Sequence, residues 1–196
     1  MLHRLRYAYD HPQFKKSLTN IVEIDETHTN GDARNKHENK KLKNFSGNTI
    51  REATSVLGML QRDGHIIAKV VPNRQAKMLL PLIMEHVEPM AFVMTDELKA
   101  YKSLKKRFYH NTVNHSAKQY VNGMIHTQGI ENFWSHLKRG IDGIYHWASV
   151  KHLQAYVDEF AIRYNTRTFD TQSRFDLLLS NTSEKRLTYD NLIQKA

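Results

Sequence analysis

Three acids of this chain stand where they could hold a divalent cation: Asp25, Asp96 and Glu131. Asp25 lies in NIVEIDET, residues 20–27, where Val22 and Ile24 alternate with Ile21, Glu23 and Asp25. β-Branched residues in that pattern favour a strand. Glu23, Asp25 and Glu26 fall within four positions, and such acids repel one another unless a cation or solvent intervenes. The segment is either a solvated edge strand or a strand that carries Asp25 to a metal at its end. Asp96 closes AFVMTDE, residues 91–97, an almost wholly apolar run typical of a strand buried on both faces. It then occupies the strand's C-terminal end, where open α/β sheets place catalytic groups. Two other readings stay open there: Asp96 caps a helix over residues 98–106, or Glu97 is the functional acid. If the three carboxylates meet at one sheet edge, they would hold two Mg²⁺ ions roughly 3.5–4 Å apart. Paired ions polarise a phosphodiester, lower the pKa of an attacking water or 3′-hydroxyl and neutralise the leaving oxygen. Hard carboxylate oxygens suit Mg²⁺.

The third acid sits in HTQGIENFWSHLKRGIDGIYHW, residues 126–147. Gly129 reads as a breaker, after which Ile130, Phe133, Trp134 and Leu137 fall at helical spacing and make one apolar face. Glu131 and Lys138 are seven positions apart, about two turns of helix, so both project from nearly the same side. The pair is either an acidic metal ligand beside a phosphate contact or a solvated ion-pair face of an amphipathic helix. Trp134 and Trp147 read as core.

The chemistry needs elements that bring these residues together. Residues 1–19 suggest one short helix closed by His11-Pro12, with too little apolar surface to stand alone. Residues 28–52 lose nearly all apolar side chains and gain Asn, Lys and Gly, which makes them a loop or loose hairpin. Arg34, Lys36, Lys40, Lys41 and Lys43 make that stretch either a phosphate-contacting arm or a solvated insertion. TSVLGMLQ, RDG and HIIAKVV read as a hairpin with a tight Asp-Gly turn. Residues 75–87 read as a helix with core methionines, kinked or started late by Pro81. A short strand over 108–115, a helix capped by Ser149 and one or two short helices after Thr166 complete the order. Asn165 and Arg167 are placed to fix the last long helix against the sheet.

Composition narrows the function classes. The 196 residues suit one domain with a full core. No apolar run spans a bilayer, the start lacks an apolar signal core, and a cytoplasmic setting is the default. Cysteine is absent, which excludes disulfides and thiolate zinc. A formal net charge of +9 favours a polyanion, and nucleic acid is the commonest. Membrane-surface binding would call for a basic amphipathic helix with a clean apolar face, and neither end offers one.

VEIDET, VMTDE, VNHS, the stretch from His126 to Trp147 and LQAYVDEFAIRYNTR together resemble bacterial insertion-sequence transposases that carry a zinc ribbon ahead of a DDE catalytic domain. The resemblance covers about residues 20 to 170. It implies a ribonuclease-H-like α/β fold: a mixed sheet of about five strands flanked by helices. It divides the chain into a residual helix or linker (1–19), the catalytic domain (20–170) and a helical extension (171–196). It also implies Asp25, Asp96 and Glu131 as catalytic metal ligands for two Mg²⁺ ions, with Mn²⁺ able to substitute. Asn132 is a competitor for Glu131, since some relatives use asparagine. Lys138 and Arg139, with Lys36, Lys40, Lys41 and Lys43, would contact DNA, both transposon ends and target, in an active complex that is a homo-oligomer. His115 and His126 match family motifs, and a structural hydrogen bond, a DNA contact and a metal role are the readings open to them. The chain starts downstream of where a zinc ribbon would end, and the turn after the first acid is reduced to Thr29-Asn30-Gly31. The expected activity is Mg²⁺-dependent strand cleavage and strand transfer. The alternatives are a truncated remnant that binds DNA without transposing it, and a stand-alone nuclease of the same fold.

Overall fold

The computed structural model describes residues 2–9, 12–29, 54–113, 125–182 and 187–193. Lys36, Lys40, Lys41, Lys43, Arg34 and His115 lie outside the described residues. Among the described residues five strands form one sheet: β1 (Ile21–Thr29), β2 (Thr54–Gln61), β3 (Ile66–Val71), β4 (Phe92–Thr95) and β5 (Tyr109–Thr112). Their order is β3-β2-β1-β4-β5, with β1, β2 and β3 antiparallel and β4 and β5 parallel to β1. An antiparallel meander that continues into parallel strands is the ribonuclease-H-like arrangement the resemblance implied. β1 is thus central and not a solvated edge. Its acids are tolerated because β4 pairs only with Ile21, Val22 and Glu23 and, among the described residues, leaves the later half of β1 unpaired on that side.

Alternation along the strands sends side chains to two faces, and helices cover both. On one face Val22, Ile24, Leu57 and Met59 pack with Leu79 and Ile83 of α2 (Ala76–His86) and with Tyr101 and Leu104 of a 3₁₀ helix, Lys99–Lys106. The helix expected after Asp96 is therefore 3₁₀ in kind. α2 runs through Pro81 without a break, and its Met84 is exposed. On the other face Val56, Leu60, Ile66 and Ala68 meet α3 (Gln128–Gly140) and α4 (Val150–Asn165). α3 presents Ile130, Phe133, Trp134 and Leu137 to the sheet, all buried as their spacing predicts. A π-helical turn (Ile141–Tyr145) follows α3, and beyond it Trp147 is exposed, contrary to the expectation of a core residue.

Asn165 accepts the Ile66 amide and donates to its carbonyl, so the end of α4 completes the open edge of β3. Arg167 donates to the Gly64 carbonyl beside it. The N-terminal α1 (Leu2–Tyr9) is held on α4 by a buried ion pair, Arg6 Nε to Glu159 Oε2 at 2.8 Å, with the Arg6 guanidinium over the Tyr145 and Tyr156 rings. α5 (Thr171–Ser180) and α6 (Tyr189–Ile193) bury no residue. Among the described residues no helix is long and apolar enough to cross a membrane.

Candidate metal centre

Past Glu23 the two central strands diverge, and the acids collect in the gap. Asp96 directly follows β4, while Asp25 and Glu26 lie on the part of β1 that pairs with β2 alone, opposite Gly58 and Leu57. Oxygens of Asp25, Glu26 and Asp96 all fall within 4.8 Å of one another. The structure thus brings together two of the three acids expected from the sequence, and adds Glu26. The signal for Glu26 was present as an Asp-Glu pair within a strand, but alternation alone sends the second acid to the opposite face.

Glu131 lies in the first turn of α3 and is exposed. Its Oε1 accepts the Thr127 hydroxyl at 3.1 Å, and its charge acts on Asp25. Asn132 beside it is exposed as well. Lys138, further along α3, is also exposed; with Arg74 it depresses the pKa of His28, which burial lowers most. Arg139 turns back to the Ser135 carbonyl. Asp96 does serve the turn after β4, since its Oδ1 accepts the Leu98 amide. Asp96 is thus bonded into the turn that leads to the 3₁₀ helix but is not its N-cap, a position held by Leu98. Exposed Glu97 is not in the carboxylate group.

Two glycines make room for this arrangement. A Cβ on Gly58 would stand 2.6 Å from the Trp134 ring. The bare backbone lets the indole lie across the strand pair, where its Nε1 donates to Asp25 Oδ2 at 3.0 Å. Gly129 is not a breaker: it sits inside the first turn of α3, where a Cβ would stand 2.7 Å from Leu60 and 3.0 Å from Glu23 Oε2. That close approach lets the buried Glu23 accept the Ile130 amide at 3.0 Å. Its other oxygen pairs with Arg62 Nε at 2.7 Å, and Arg62 also donates to the His126 carbonyl. His126 Nδ1 lies 3.4 Å from Glu23 Oε1. Two acids of one strand face thus differ: Glu23 anchors α3, and Asp25 joins the carboxylate group.

The donor set fits a hard divalent cation. All three side chains offer carboxylate oxygens, Glu26 Oε1 is buried with no hydrogen-bond partner, and among the described residues no cation pairs with any of them. Burial raises the Asp25 pKa from 3.8 to about 6, with Asp96 and Glu131 adding to the rise against the Glu26 amide and the Trp134 indole. Burial, then the charges of Asp96 and Asp25, raise that of Glu26 from 4.5 to about 8. A raised carboxyl stabilises the fold below its unfolded pKa and loses that contribution as pH climbs through the folded value. Stability without metal is therefore expected to fall from about pH 4 to about pH 8, and Mg²⁺ should restore it. Thermal midpoints at pH 5 and pH 8, with EDTA or Mg²⁺, check this; a midpoint in EDTA that rises with pH would reverse the assignment.

Residues 17–165 match the model of the ISXO2-like transposase domain. An uncharacterized transposase-like protein of Haemophilus influenzae is 35% identical over 104 residues, which cover 53% of this chain and 83% of that protein. Among solved structures, a chain from a simian T-cell lymphotropic virus intasome in complex with a PP2A regulatory subunit aligns with a TM-score of 0.38 and 12% identity. That alignment covers 88% of this chain and 51% of the other, so this chain spans about half its length.

Proposed function

Since the chain belongs to the ISXO2-like transposase domain family, we propose that it cuts DNA and joins strands with Mg²⁺ held by Asp25, Asp96 and Glu131. The observation that carries this reading is the meeting of Asp25 and Asp96 at the gap between β1 and β4, with the charge of Glu131 acting on Asp25 from α3. Bound there as a pair, Mg²⁺ ions would polarise the phosphodiester and activate a water or a 3′-hydroxyl. Trp134 holds one oxygen of Asp25, and Thr127 holds one oxygen of Glu131, so each carboxylate is oriented before metal or substrate arrives. Lys138 positions the scissile phosphate from the same helix as Glu131, and Arg139 contacts the DNA backbone nearby. The active complex is a cytoplasmic homo-oligomer that takes transposon ends and target DNA, and Mn²⁺ can substitute for Mg²⁺.

The test is cleavage of supercoiled and transposon-end DNA by the purified chain with Mg²⁺, Mn²⁺ or EDTA. Metal-dependent nicking and strand joining are expected. DNA binding with no cleavage under either metal would leave a binding protein in place of an enzyme.

Binding itself should depend on salt. The net charge of +9, with Lys36, Lys40, Lys41 and Lys43 clustered in sequence, gives several phosphate contacts, each of which releases counterions. Log affinity should fall linearly with log salt. Changing Lys40, Lys41 and Lys43 together to Ala should flatten the slope by about 1 for each phosphate no longer neutralised. A wild-type slope near zero would remove phosphate contact from the reading.

A further inference from the structure

We propose that Glu26 is a direct ligand of the catalytic divalent metal, reaching it from the face of the sheet opposite α3. The inference rests on the metal-dependent reading above and adds a residue to it.

Neighbouring residues of a strand project to opposite faces, so Asp25 and Glu26 cannot both point at α3. Asp25 shares its face with Trp134, whereas Glu26 is on the side of Val22 and Ile24, towards α2. Their oxygens nevertheless come within 4.8 Å of each other and of Asp96. The gap makes this possible: β4 pairs with β1 only as far as Glu23 and Met94, so among the described residues no strand pairs with that side of β1 beside Glu26. Asp96 directly follows β4 at this gap, within reach of both acids. The gap also lies where the chain departs in opposite directions from the centre of the sheet, a position at which open α/β sheets bind ligands.

An independent observation concerns satisfaction. Glu26 Oε1 is buried and finds no hydrogen-bond partner among the described residues. An acceptor oxygen so placed carries a desolvation cost that a hydrogen bond or a cation ordinarily offsets. Glu23, three residues earlier and more deeply buried, shows the contrast, since both of its oxygens are used by Arg62 and the Ile130 amide. Arg74 exerts an attractive field on Glu26 without forming an ion pair with it, so the oxygen is left for a small, hard ion.

The experiment is Mn²⁺ titration of the full chain without DNA, by calorimetry and by paramagnetic resonance. Loss of an outer partner alone weakens metal binding by about 10–100-fold, so Glu26→Gln, which removes a direct ligand, is expected to weaken Mn²⁺ at least about tenfold. Asp25→Asn should do the same. Unchanged affinity in folded Glu26→Gln, with Asp25→Asn weakened, overturns the assignment and leaves the metal-dependent reading standing. Absence of Mn²⁺ binding in the wild type overturns both. Should Glu26→Gln fail to fold, the wild-type chain labelled with ¹³C at glutamate carboxyls decides the matter. Substoichiometric Mn²⁺ is expected to broaden the Glu26 resonance and spare that of exposed Glu85; a sharp Glu26 signal in bound protein rejects the proposal.

Discussion

Asp25→Asn and Asp96→Asn are each expected to reduce Mg²⁺-dependent cleavage about a thousandfold or more, because metal stabilisation of transition-state charge is worth several kcal/mol and each 1.36 kcal/mol is a factor of ten in rate. The amide keeps shape and volume and removes one anionic ligand. At Asp25 it also keeps an acceptor for the Trp134 indole. Protein folding should survive. Removing one charge from a group in which burial, and then mutual repulsion, raises the pKa of Asp25 and Glu26 should even raise the metal-free thermal midpoint at pH 8. Non-specific DNA binding should stay near wild type, since it draws on cations elsewhere. The combination of lost cleavage, retained binding and an unchanged or higher midpoint separates a catalytic ligand from a structural acid. Glu131→Gln is expected to behave likewise, and Lys138→Ala more mildly, because Lys138 touches substrate and not metal. Cleavage within tenfold of wild type in Asp25→Asn would end the metal-ligand assignment. Full activity in Glu131→Gln alone would transfer the third position to Asn132 or to Glu26.

The features legible in the sequence are those written in local periodicity. Alternation in NIVEIDET, the paired apolar runs around Arg62-Asp63-Gly64 and the stripe from Ile130 to Leu137 need no knowledge of distant partners, and all three appear as β1, the β2–β3 hairpin and the buried face of α3. Asp96 was legible for the same reason, as an acid at a strand's end, whereas Asp25 lies in the middle of β1, which runs on to Thr29. What could not be read depends on register between segments far apart in the chain. Glu23 looked like one of three mutually repelling acids, yet it pairs with Arg62, 39 positions away, and reaches the start of α3. Gly58 and Gly129 matter only because a third element packs on them. The gap that admits Glu26 exists because β4 stops pairing with β1 early, and no property of either segment announces that length.

Glu23→Ala is expected to destabilise the protein by about 3–5 kcal/mol, the usual cost of removing one partner from a buried ion pair. Against a total stability of about 5–15 kcal/mol for a protein of ordinary stability, that is enough to threaten folding at 37 °C. The cost has two sources. Arg62, mostly buried, loses the carboxylate at 2.7 Å, and the Ile130 amide at the start of α3 loses its acceptor. Glu23→Gln should cost less, about 1.5–3 kcal/mol, because it forfeits the charge-assisted bonds and keeps a neutral acceptor. The pairing is tested by a double-mutant cycle with Arg62→Met, in which Glu23→Ala should become markedly cheaper once no buried guanidinium is left behind. Purely additive costs would show that the two side chains do not depend on each other. The functional consequence follows from chain order, since Ile130 precedes Glu131. Freeing the first turn of α3 loosens the helix that carries Glu131, while Asp25 and Asp96 stay in place on their strands. A folded Glu23→Gln protein should therefore lose cleavage while still binding Mn²⁺ through the strand acids. Chemical denaturation read by tryptophan fluorescence gives the stability arm, and a loss below about 1 kcal/mol, the level of a surface pair, would show that Glu23 does not anchor α3.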